Sequence, residues 1–126
     1  MKGLWIALGT MLIGMALAQS YVDISIGGKF IMRLRAGYGN LSVEQRARII
    51  EERLSEHLGA RLTEEQITLK EVRKDRQYEI YIRGRLLVTV TPADAEAARM
   101  GVKQLAEHWL KQLRETLPKL SARPPA

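Results

Sequence analysis

Two stretches of the chain, YVDISIGGKFIMRLR (residues 21–35) and YEIYIRGRLLVTV (residues 78–90), place apolar residues at every second position on both sides of a glycine-bearing turn. A period of two is what a strand shows when one of its faces is buried, so each stretch predicts a β-hairpin. Each then runs into a segment of helical period. The chain is therefore constrained to fold as two strand–strand–helix units.

Register can be tested within each hairpin. A two-residue Gly27-Gly28 turn sets Ile24 opposite Ile31 and Val22 opposite Arg33, which mixes polar and apolar residues on one face. A three-residue Gly27-Gly28-Lys29 loop pairs Ile26 with Phe30, Ile24 with Met32 and Val22 with Leu34. It also sets Asp23 against Arg33 on the wet face. One clean apolar face favours the second register, although paired glycines suit the shorter turn. By the same reasoning Arg83-Gly84-Arg85 is the second loop, with Tyr78, Ile80 and Ile82 facing Val90, Val88 and Leu86.

The helical segments carry start and stop signals. In LSVEQRARIIEERLSEHLG (residues 41–59), Ser42 and Gln45 have capping-box spacing and Gly59 is a stop. Val43, Ala47, Ile50, Leu54 and Leu58 form its apolar stripe, while Glu44, Arg48 and Glu52 form a ladder on a wet face. The second helix starts at Thr91-Pro92-Ala93-Asp94 and buries Ala98, Val102, Leu105, Trp109 and Leu113. Pro118 is read as its end. Between the units, Ile67–Val72 reads as one further strand, giving the order ββα-βββα. The fold class is α+β: a small antiparallel sheet of two hairpins plus one strand, with two amphipathic helices packed on one face. One domain spans residues 19–117, and residues 118–126 are a short tail.

The first 18 residues read as a signal peptide. Lys2 precedes an uncharged run from Gly3 to Ala18, and Ala16-Leu17-Ala18 offers small residues for cleavage before Gln19. The run is 16 residues long, whereas a helix needs about 20 to cross the hydrocarbon core. The alternative is an uncleaved anchor, the one case in which a membrane is a partner. Losing Lys2 lowers the formal net charge from +6 to +5. The chain has no cysteine, which excludes a disulfide framework, a thiolate nucleophile and a cysteine-based zinc site. An exported domain held by packing alone suits a periplasmic or extracellular location.

The segments GGKFIMRLRAGYGNLSVEQRARIIEERL and LLVTVTPADAEAARMGVKQLAEHWLKQLRETL extend the reading to a family. They resemble the extracytoplasmic amino-terminal module of some bacterial channels of the small-conductance mechanosensitive type. That module is similar in running a glycine-turn strand pair into an arginine-alanine helix and in its Asp94-Ala95 helix start. The sequence contains no pore-lining helices, so the resemblance implies a free-standing envelope module, a sensor or accessory domain. It implies no catalytic residue.

Candidate chemistry is sparse. Arg33 and Arg35 lead into a loop with Gly37, Gly39 and Ser42, an arrangement that suggests an anion site at a helix N-terminus. The loop lacks the third glycine of a dinucleotide fingerprint and the lysine of a P-loop, which favours a sharp turn capped by Ser42. His57 and His108 have no metal-ligand spacing and read as boundary residues, so no metal and no cofactor are expected. Glu51-Glu52 and Glu64-Glu65 are sequence neighbours, which point apart on a helix and read as solvated charges. Arg73, Lys74, Arg76, Arg83 and Arg85 are read as a basic cluster at one end of the second hairpin, solvated rather than bound to nucleic acid.

The leading expectation is an exported, non-enzymatic envelope module that binds a partner or senses the envelope environment. Its docking strip on the last helix is Trp109, Leu110, Leu113 and Leu117, facing an envelope protein or a second copy. The rival is an anion- or small-ligand-binding accessory domain using Arg33, Arg35 and Gly37–Ser42. Nucleic acid is disfavoured as a partner.

Overall fold

The computed structural model describes residues 21–122. The signal-peptide reading falls outside them, as do residues 123–126 of the expected tail. In chain order the elements are β1 (Val22–Ile26), β2 (Lys29–Leu34), α1 (Val43–His57), a 3-10 turn (Glu64–Gln66), β3 (Ile67–Arg73), β4 (Gln77–Ile82), β5 (Arg85–Val90), α2 (Pro92–Ala98) and α3 (Val102–Leu120). The fold is α+β, as expected. Its strands form two antiparallel sheets rather than one: β1 with β2, and β3-β4-β5. No helix among the described residues is long and apolar enough to cross a membrane.

Both hairpins solve the register question in the same way. Gly27 and Gly28 have φ of +57° and +78°, and Arg83 and Gly84 have +51° and +77°. Positive φ at both central residues is what a two-residue turn needs to match strand twist. Close to the turns the pairs are therefore Ile26–Lys29 and Ser25–Phe30, and Ile82–Arg85 and Tyr81–Leu86. One extra residue then enters β2 at Ile31 and β5 at Leu87, and beyond it Ile24 meets Met32 and Ile80 meets Val88. The three-residue loops are thus corrected near the turns, while the pairings further out hold. Each bulge residue is buried. Because side-chain direction alternates, the slip turns Phe30 off the apolar face, and it stands 46% exposed.

One continuous core lies between the sheets and the helices. The α1 stripe of Val43, Ala47, Ile50 and Leu54 packs on β1 and beside β5, whereas α3 packs across β2, β3 and β4. Arg53 and Arg46 of α1 also donate to the carbonyls of Leu87 and Thr89 at 3.0 and 2.7 Å, tying the helix to β5.

The expected second helix is two helices. Arg99 takes a left-handed conformation, φ 56°, as the C-cap of α2, and Gly101 starts α3. At the other end Pro118 does not stop α3. It removes one N–H, and the helix continues to Leu120, where Ser121 N–H donates to the Leu117 carbonyl at 3.0 Å. Ser121 is buried and its Oγ accepts from Leu62 N–H at 3.0 Å, while Ala122 N–H donates to the Leu58 carbonyl at 3.0 Å. Residues 118–122 therefore close the domain instead of beginning a tail.

Candidate functional site

The loop after β2 is a structural turn. Tyr38 and Leu41 exchange backbone hydrogen bonds at 3.1 and 2.9 Å around Gly39, whose φ is +57°. A Cβ at Gly37 would lie 2.4 Å from the Leu41 carbonyl oxygen, so only glycine allows that close approach. Ser42 Oγ accepts from Gln45 N–H at 3.1 Å, and Gln45 Oε1 accepts from Ser42 N–H at 2.9 Å. Two of the amides at the start of α1, those of Ser42 and Gln45, are spent on this box. Gly37, Gly39 and Ser42 thus serve the turn and the cap, which is the structural reading of the loop.

Arg33 is also committed elsewhere. Its Nε and Nη2 donate to the two carboxylate oxygens of Asp23 at 2.7 and 3.0 Å, and its guanidinium lies 4.1 Å from the centre of the Tyr21 ring. The hydrogen bond from Arg33 holds the Asp23 carboxyl below the usual carboxylate range. Arg35 is exposed and forms no ion pair among the described residues.

The strongest polar feature is one that sequence reasoning passed over. Arg46 is 4% exposed and Asp94 2%. The arginine grips the carboxylate with both terminal nitrogens, at 2.6 and 2.9 Å, and donates to the Thr89 carbonyl at 2.7 Å and the Ala36 carbonyl at 2.9 Å. Asp94 Oδ2 in turn accepts from Thr91 N–H and Thr91 Oγ, both at 2.9 Å. This knot joins the β2–α1 loop, α1, the end of β5 and the start of α2. With four of the five guanidinium N–H donors aimed at protein acceptors, it is a fastening rather than a reactive group. The signal for it was an arginine on the apolar stripe of α1, between Val43 and Ile50.

The five basic residues of the second sheet do not gather. Arg73, Lys74 and Arg76 sit at the β3–β4 turn, while Arg83 and Arg85 sit at the opposite end of β4. Arg83 is not solvated charge: it donates to the carbonyls of His57, Ala60 and Arg61 at 3.0, 3.2 and 2.8 Å, closing the C-terminal end of α1. His57 beside it is buried, and burial followed by the charges of Arg83 and Arg85 lowers its pKa. His108 is exposed, and no metal-ligating cluster occurs among the described residues.

At the other turn Tyr78 donates its phenol to Glu71 Oε2 at 2.7 Å, which pushes its pKa up to about 12. A folded pKa above the ordinary 10.0 contributes stability that is full below about pH 10 and is lost as pH rises towards 12. Phenolate absorbance in an alkaline titration is expected to show one tyrosine ionising near pH 12, and Tyr78→Phe is expected to remove that late step. A late step that survives the substitution assigns it to another tyrosine.

Trp109, Leu113 and Leu117 are 3%, 0% and 0% exposed, which corrects the docking-strip expectation. They are core because α3 must cover two sheets at once. Leu110 is half-buried and packs against that core. One surface concavity lies along β2. There, a groove of about 330 Å³ has Phe30, Arg33 and Arg35 on one wall and Met100 and His108 on the other. Met32, Leu105 and an edge of Trp109 form its base. The structure thus brings Arg33, Arg35 and Trp109 to one place and leaves Gly37–Ser42 out of it. A second cavity, about 210 Å³, lies between α1 and β5 beside Tyr38 and Leu41. It falls below the roughly 300 Å³ at which small-molecule sites begin.

No curated protein and no solved structure matches the chain. A family model described as a domain of unknown function, DUF8459, matches residues 23–119. The matched span runs from β1 to the last turn of α3, so it takes in both hairpin–helix units, the Arg46–Asp94 knot and the β2 groove. Through that span the chain belongs to the DUF8459 family.

Proposed function

We propose that this protein is an exported, non-enzymatic envelope module that binds a partner protein through the groove between β2 and the α2–α3 region. The observation that carries the reading is the make-up of the groove. Phe30 projects 46% exposed beside Met100, Arg33, Arg35 and the edge of Trp109. Aromatic residues, methionine and arginine are the types enriched where proteins bury one another, while Lys, Glu and Asp are depleted there. The leader read in residues 1–18 and the resemblance to an extracytoplasmic module support the envelope location.

The test places a photoreactive residue at Phe30 and, separately, at Val72, which is 43% exposed on β3. Both chains are irradiated in intact cells, and the cross-linked species is identified by mass spectrometry. One species recovered from the envelope fraction through position 30 alone is the expected result. Equal labelling from both positions, or a chain retained in the cytoplasm, overturns it. The mass of the same recovered chain shows whether the leader is cleaved before Gln19 or kept as an anchor.

A further inference from the structure

We infer that the β2 groove recognises an acidic segment of its partner, in which a carboxylate flanks a bulky apolar side chain. This rests on the binding reading above. The charge lining the groove has one sign: Arg33 and Arg35 are there and no carboxylate is. The two arginines are not equivalent. Arg33 has its Nε and Nη2 engaged by Asp23 at 2.7 and 3.0 Å, whereas Arg35 has no ion pair among the described residues. Arg35 therefore offers a whole guanidinium fork, whose geometry matches a carboxylate in bidentate contact. Beside it, Phe30 and the flexible Met100 thioether form an apolar seat that adapts to the shape of its guest.

Magnitudes separate this occupant from the others a basic surface attracts. A lipid surface is held by clusters of about four to eight Lys and Arg near one plane. Tight hold on a nucleic-acid backbone takes about six to ten phosphate contacts. With Arg33 paired to Asp23, the groove offers one cation without an ion pair among the described residues, enough to select a carboxylate but not to bind a polyanion. A second copy of the chain is the occupant that sedimentation velocity distinguishes below. Its exposed carboxylates are spread over α1, the 3-10 turn, β3 and the later helices, and Glu71 beside Val72 is an exposed acidic–apolar pair of its own.

The experiment titrates the purified full chain into dye-labelled five-residue peptides and reads anisotropy. The central residue is phenylalanine flanked by Asp and Glu, by Asn and Gln, or, in a third peptide, replaced by alanine between the acids. The acidic phenylalanine peptide is expected to bind, and loss of either feature to weaken it by about tenfold, the effect of one good contact. Arg35→Ala is expected to weaken it equally with the thermal midpoint unchanged, because the side chain is exposed, and Arg35→Lys to recover part of the loss. Equal binding of the neutral peptide, or binding indifferent to Arg35→Ala, overturns the inference. So does binding to anionic phospholipid vesicles in place of the peptides, or self-association in sedimentation velocity that Arg35→Ala abolishes. If position 30 cross-links a partner while the acidic peptide is ignored, the acidic segment is wrong and the binding reading stands. If neither occurs, both fall.

Discussion

Arg46→Met is expected to lower the unfolding free energy by about 3–5 kcal/mol, the cost of leaving one half of a buried ion pair unpaired. The guanidinium it removes makes four hydrogen bonds, two to Asp94 and one each to the Thr89 and Ala36 carbonyls. Asp94, 2% exposed, would keep only its two contacts from Thr91. Adding Asp94→Asn is expected to restore much of the loss, because an amide oxygen still accepts from Thr91 and no charge remains buried. Denaturant midpoints at constant slope measure both variants. A double variant no more stable than the single one would mean that the loss comes from the Thr89 and Ala36 carbonyls rather than from the stranded charge. Arg33→Met serves as a control and is expected to leave the midpoint nearly unmoved, since its pair with Asp23 is 38% and 39% exposed and screened by water.

Leu113→Ala separates two readings of the last helix. A docking strip predicts lost partner binding in a domain of ordinary stability. Burial at 0% exposure in the middle of α3 predicts the reverse: about 2–5 kcal/mol of lost stability from a cavity that two sheets and a helix cannot close. Because α3 touches β2, β3 and β4, the loss is expected to appear as one cooperative transition at a lower temperature. Two transitions would show that the sheets are held separately.

Local patterns that repeat were legible in the sequence. Alternation gave the outer strand pairs, and the Ser42–Gln45 spacing gave the start of α1. Features that interrupt a pattern were not. The bulges at Ile31 and Leu87 lie within the triplets Phe30-Ile31-Met32 and Leu86-Leu87-Val88, and three consecutive apolar residues in an alternating strand mark an extra residue. Reading those triplets as ordinary alternation put Phe30 in the core and hid the groove. The break at Arg99 was invisible because a left-handed arginine leaves no trace in hydrophobic period. Trp109, Leu113 and Leu117 were placed on the right stripe. What covers a stripe depends on the packing of two sheets, which no local spacing encodes. Gly37 was read as part of a candidate anion loop, whereas its role is to let the Leu41 carbonyl approach.

The hold of α1 on β5 also sets how this protein fails. Thr89 and Leu87 turn their carbonyls outward, and the arginines of α1 occupy them, so the sequence Leu86-Leu87-Val88-Thr89-Val90 offers no free edge to another chain while the helix is in place. Once α1 lifts away, a six-residue strand that is apolar at four positions becomes a template for pairing with its neighbours. Insolubility on heating is then expected to set in with the transition that releases α1, and anything that fastens α1 acts as an inhibitor of aggregation.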